Sequence, residues 1–246
     1  MTILSKVPRI TNFIKKGTKI HGVILPRLAS FLKMEQEEIS SLDPNYVRSE
    51  CRNEFLSSEN KAEVYATSKL NLIRSLVFQR DRDWHFLDAL GNTSEWTILD
   101  YGPGVGYWST YLKWTKLMIV EAYGLPTEYH QSVYEGNDKV EVFPSEAFVL
   151  NPPEELFDLV IFADVIEHLT NPMEVLTKLT SSMVPGGLMI FYFAMSFHDG
   201  GHLKETIDNA PECQRYILDH FDLVRKLDRG RYYLLAKKEK PACQEY

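Results

Sequence analysis

Cysteine is scarce in this chain: Cys51, Cys213 and Cys243 lie far apart, are odd in number and form no CxxC pair. That pattern argues against a disulfide framework and a zinc knuckle, and it points to a reducing, cytoplasmic setting. No apolar run approaches the ~18–20 residues that a membrane-spanning helix needs. The N-terminus lacks the continuous apolar stretch and small-residue cleavage site of a secretory signal. Acids are missing from residues 1–33, which hold Lys6, Arg9, Lys15, Lys16, Lys19, Arg27 and Lys33. The whole chain carries −7, so those seven cations leave −14 on the remainder. A body this acidic is a poor general binder of phosphate backbones, which argues against nucleic acid as a partner. The basic head reads as a solvated or internally paired segment, with an anionic partner or membrane surface as the competing reading.

What remains is ordinary for a soluble globular protein. With 246 residues, 44% of them hydrophobic and 25% charged, the chain supports one large domain, or one domain with a substantial extension. Before residue 90 the pattern is mostly helical, with amphipathic rhythm in "PRLASFLKMEQEEISSL" and "KAEVYATSKLNLIRSLVFQ". After the loop "GNTSEW", short apolar runs alternate with helical stretches. "WTILDY", "KLMIVEA", "KVEVF", "FDLVIFAD" and "GGLMIFYF" read as buried strands. "GYWSTYLKW" and "NPMEVLTKLTSSM" read as helices, the second opening at Asn171-Pro172, where Pro suits a first helical turn. "FDLVRKL" and "GRYYLLAKK" read as a closing strand pair around "DRG". This alternation predicts a doubly wound α/β sheet of seven strands, mostly parallel, with a helical N-terminal cap. It divides the chain into a helical extension over 1–90 that covers the substrate and a cofactor-binding domain over 91–246.

The stretch "LDYGPGVGYWS" carries the chemistry. The first strand ends at Asp100, and Gly102, Gly104 and Gly106 let the backbone bend tightly while a ligand lies against it without Cβ interference. In an open α/β sheet, ligands bind beyond the carboxyl ends of the strands. A dinucleotide site would want G-x-G-x-x-G with pyrophosphate at the helix N-terminus. Here the third glycine comes one position early, and the preceding carboxylate would repel a pyrophosphate and suit an ammonium group.

On these residues the sequence resembles the Rossmann-like, S-adenosylmethionine-dependent (class I) methyltransferases, over roughly Trp96 to Phe193 plus the closing hairpin. The resemblance implies that S-adenosylmethionine is the cofactor, with its methionyl end held by Asp100 and the backbone of Gly102, Gly104 and Gly106. It implies that Glu121, ending the second strand 21 residues after Asp100, takes the ribose hydroxyls. "FDLVIFADVIEHLTNP" followed by "MVPGGLMIFYF" is similar to the family's fourth strand, loop, helix and fifth strand, and Asp164 joins the cofactor-binding set there. The third strand departs from the pattern: "FPSEAF" offers Ser145 and Glu146 without a clear match to the residues near adenine.

Methyl transfer mainly requires alignment of nucleophile, methyl and sulfur, and good alignment supplies about 7–11 kcal/mol of the barrier. A hydroxyl nucleophile profits from a general base, for which His is best matched at neutral pH. His202 and His198, in "FHDGGHL" just past the fifth strand, are the acid/base candidates, and His168 reads as a packing or hydrogen-bonding residue. No metal is assigned. Asp164, Glu167 and His168 at i, i+3 and i+4 also resemble the metal-dependent small-RNA 3′-end methyltransferases, with Asp164 departing from their first glutamate. Trp108, Tyr111, Trp114 and Tyr123 read mostly as packing residues, and Tyr46, Arg48 and Arg52 as cap residues on the surface. The expected activity is methylation of a small-molecule acceptor at O or N, with a homo-oligomer compatible with it. The competing readings are that metal-assisted RNA enzyme and a non-methylating S-adenosylmethionine-binding protein.

Overall fold

The computed structural model describes residues 8–80, 84–192, 203–227 and 231–239. Five helices come first: α1 (Pro8–Leu32), α2 (Gln36–Ser41), α3 (Pro44–Ser57), α4 (Lys61–Thr67) and α5 (Lys69–Arg80). A 3-10 segment, Trp84–Leu90, leads into β1 (Thr97–Tyr101), α6 (Tyr107–Tyr111), β2 (Lys116–Glu121) and α7 (Leu125–Val133). Then follow β3 (Val140–Pro144), α8 (Ser145–Leu150), β4 (Phe157–Ala163), α9 (Pro172–Ser181) and β5 (Met183–Tyr192). The chain closes with α10 (Lys204–Asp208), α11 (Ala210–His220), β6 (Phe221–Leu227) and β7 (Tyr232–Lys237).

The strands form one seven-stranded sheet in the order β3-β2-β1-β4-β5-β7-β6. β1 through β5 pair in parallel, and β7 runs antiparallel to both β5 and β6. Strand alternation sorts the core onto two faces. Ile98, Ile119 and Ile161 point with Leu28, Leu76 and Trp84 into the side covered by the N-terminal helices. Leu99, Val120 and Phe162 point into the other side, against Phe148 of α8, Leu176 of α9 and Ile217 of α11. The expected sheet and its helical N-terminal cover are both present. Because β1 turns to β2 on one side and to β4 on the other, the crevice for a ligand opens above the carboxyl end of β1.

Each of the two amphipathic stretches is divided between two helices. Lys33 turns left-handed (φ 56°), and two bonds, Lys33 N–H to Ser30 O and Met34 N–H to Ala29 O, close α1 in a Schellman turn. Ser68 is extended between α4 and α5, and its Oγ accepts from Asn71 N to cap α5. The helix read in "GYWSTYLKW" is one short turn, since Leu112 is already extended. Among the described residues, no helix is long and apolar enough to cross a membrane.

Candidate active site

The turn after β1 is left-handed at each of its glycines, with φ of 70° at Gly102 and 62° at Gly104. Close approach reinforces the choice of residue. A Cβ on Gly102 would stand 2.5 Å from Val165 Cγ2, and one on Gly104 would collide with Ser75 Oγ. The main chain of the turn is held by side chains from three elements. Gly104 N–H donates to Glu121 Oε2 at 2.9 Å, Val105 N–H donates to Ser75 Oγ at 3.1 Å, and His130 Nε2 lies 2.9 Å from Gly104 O. Gln79, one helical turn after Ser75 on α5, donates to Pro103 O at a long 3.5 Å.

Beside this turn lies a cavity of about 710 Å³. Gly102, Gly104, Glu121 and Asp164 line it, so the structure brings four of the sequence-predicted residues onto one wall. Ser145 and Glu146 line it as well, from the start of α8. Asp100 and Gly106 do not reach the wall. Asp100 is 1% exposed, and neither of its carboxylate oxygens has a hydrogen-bond partner. Two residues along from Ile98, it points to the same face, beneath the turn and toward α6, rather than up to a ligand. Burial pushes its carboxyl up to about 7, against the pull of Ser109, whose hydroxyl is turned to Gly106 O at 3.3 Å.

Glu121 accepts from Gly104 N and, at 2.8 Å, from Ala122 N. A carboxylate offers about four acceptor sites, so these bonds leave room for a ligand's hydroxyls. Burial pushes Glu121 up to about 7, and its two backbone donors oppose that rise. Asp164 is left-handed (φ 58°), a conformation that Asp tolerates. Its Oδ1 meets Arg231 Nη2 at 3.1 Å, and its Oδ2 accepts from Tyr232 OH at 3.0 Å. Asp164 also precedes the 3-10 turn Ile166–His168, so these residues at i, i+3 and i+4 do not share an α-helix. Among the described residues, no group of three or more His, Cys, Asp or Glu is placed to hold a metal ion.

The far wall comes from the helices ahead of the sheet. Tyr65 Oη lies 2.6 Å from His168 Nδ1, and both residues line the cavity. Arg48 lies over the ring of Phe78 at 4.6 Å from its centroid, and the two line the cavity together. Tyr65, Ser75, Phe78, Gln79 and Arg231 escape a reading of the sequence. The Ser75/Gln79 spacing of one helical turn is the only local signal among them, and it becomes informative only once α5 is known to lie on the glycine turn. His198 and His202 fall outside the described residues. Of the aromatic residues singled out above, Trp108 packs edge-on against Trp84 and Tyr232 in the core. Tyr123 is 69% exposed at the cavity rim.

These features fit S-adenosylmethionine: a main chain bare of Cβ, a carboxylate with spare acceptor sites at the next strand end, and an acid-bearing wall suited to a cation. The methyltransferase domain family matches residues 71–225. Among solved structures, the chain is similar to the N-methyltransferase NodS from Bradyrhizobium japonicum WM9, at 14% identity over 80% of this chain and 100% of that one, with a TM-score of 0.49. The same enzyme in complex with S-adenosyl-L-homocysteine matches at 15% identity over 80% and 99% of the two chains, with a TM-score of 0.48. A Haloferax volcanii complex between the Trm112 methyltransferase activator and a methyltransferase matches at 12% identity over 70% and 96%, with a TM-score of 0.50. At 12% identity, the last of these bears on the fold alone. No curated protein sequence matches the chain. The glycine turn, the seven-stranded sheet and the match over residues 71–225 together make this chain a member of the S-adenosylmethionine-dependent (class I) methyltransferase family.

Proposed function

We propose that this enzyme methylates a small-molecule acceptor at oxygen or nitrogen, in the cavity between the glycine turn and the N-terminal helices. The observation that carries the proposal is the shape of that cavity. Side chains of α3, α4 and α5 close over the strand ends, and about 710 Å³ falls within the roughly 300–1,000 Å³ of small-ligand pockets. A nucleic acid would want an open, cationic groove; the wall here sets Glu63, Glu121, Glu146, Asp164 and Glu167 against Arg48, Arg74 and Arg231.

When bound, S-adenosylmethionine supplies an electrophilic methyl group on a sulfonium. The bare main chain of Gly102 and Gly104 receives the methionyl end, and Glu121 accepts from the ribose hydroxyls. Asp100 supports the turn from below. Asp164, tied to Arg231 and Tyr232, sets the wall between donor and acceptor. His168 removes the acceptor's proton: with Nδ1–H donating to Tyr65, Nε2 carries the lone pair. His202 and His198 compete for this role. In this scheme residues 1–90 shield the acceptor from water and residues 91–246 hold the donor.

Incubation with methyl-labelled donor and pools of small metabolites, RNA and peptides tests the proposal. A small product heavier by one methyl group is expected. Label confined to RNA or peptide would remove the small-molecule reading, and a donor-derived isomer or fragment without transfer would remove methylation itself.

A further inference from the structure

The residue at the centre of the glycine turn is gripped at both of its polar groups by a single strand–helix unit. Gly104 gives its N–H to Glu121, the last residue of β2, and its carbonyl meets His130 on α7, the helix that follows β2. His130 is 1% exposed and does not line the cavity. A carbonyl only accepts, so His130 carries its proton on Nε2 and donates it to Gly104. Its ring is confined by Tyr129, edge-on at 5.0 Å, and by Tyr134, parallel at 6.4 Å. It also lies under Gly106, where an added Cβ would stand 3.1 Å from its Cε1. A ring so enclosed is a fixed donor, and the half-buried Gly104 carbonyl stripped of that donor would lose this hydrogen bond.

We infer that His130 is a positioning residue for the methyl donor: it fixes the Gly104 carbonyl and with it the 104–105 peptide plane, whose Val105 N–H meets Ser75, while Glu121 holds the Gly104 N–H in the plane before it, so that the bare main chain the donor meets is set on both sides of Gly104. This inference rests on the donor lying across the turn as proposed above. Burial keeps the ring neutral, lowering His130 to about 4, in keeping with a single fixed tautomer.

Two nearly isosteric variants separate positioning from packing. The amide nitrogen of His130→Gln reaches where Nε2 stood, whereas that of His130→Asn falls short of Gly104. Calorimetric titration with S-adenosylhomocysteine, alongside the melting temperature of each ligand-free protein, is the measurement. His130→Gln should bind within about threefold of wild type, and His130→Asn about tenfold more weakly. Equal affinity in all three proteins overturns the inference. Equal losses in both variants, following equal falls in melting temperature, overturn it too and leave His130 a core residue. Failure of wild type itself to bind S-adenosylhomocysteine would instead reject the donor site on which the inference stands.

Discussion

Tyr65 and His168 stand 103 positions apart in sequence, yet the tyrosine hydroxyl lies 2.6 Å from the imidazole Nδ1 at the cavity wall. The pair joins the helices ahead of the sheet to the turn after β4, and Phe55 backs it with its ring 4.6 Å from that of Tyr65. This wall of the cavity is therefore assembled from both halves of the chain.

With an acceptor in hand, His168→Asn should lower kcat by roughly 10²–10⁴ while leaving the affinity for S-adenosylhomocysteine unchanged. Tyr65→Phe should cost less, because it releases the ring without removing the base. Parallel assays of His198→Asn and His202→Asn complete the set. A collapse confined to one of those two would move the base to that residue.

Donor binding should weaken as pH falls through about 7. In the proposed donor site Glu121 accepts from the ribose as a carboxylate, and burial has raised its proton affinity to that range, so protonation removes acceptor sites below it. Glu121→Gln should bind roughly 10–100-fold more weakly, matching the ~1.5–3 kcal/mol of a bond to a charged group, and should lose the pH dependence. Calorimetry with S-adenosylhomocysteine between pH 6 and 8.5 reads both effects.

Asp100 should make the fold less stable as pH rises. Its folded pKa of about 7 lies above the ordinary 3.8, so the unfolded chain ionises first and stability is lost between those values. Asp100→Asn should melt higher than wild type at pH 8, by an effect on the order of 1–4 kcal/mol, and the gap should close near pH 4. Thermal melts of the two proteins across that range check the sign.

Gly104→Ala should impair both folding and donor binding. Alanine at φ 62° costs about 1–2 kcal/mol, and its methyl group collides with Ser75 Oγ. Adding Ser75→Ala should relieve the collision and leave the conformational strain. The double variant should therefore recover only part of the melting temperature lost by the single one.

Legibility in the sequence followed the range of the interactions. The strands stood out because buried parallel strands need continuous apolar runs, as in "LVIFA" within Phe157–Ala163. The breaks at Lys33 and Ser68 did not, because one left-handed or one extended residue leaves the apolar rhythm around it intact. Asp100 carries two local signals that point in opposite directions. Strand alternation pairs it with Ile98, on the face beneath the turn, and its position ahead of three glycines had suggested an upward, ligand-facing carboxylate.

The sequence by itself determined the sheet, its helical cover, the glycine turn and the acid at the end of the second strand, because each is written in neighbours a few positions apart. Only the tertiary structure decided that α5 lies on the glycine turn, that His130 holds Gly104, and that Tyr65 meets His168. Those contacts join residues 26 to 103 positions apart, and their geometry arises from the packing of helices onto the sheet rather than from any local preference.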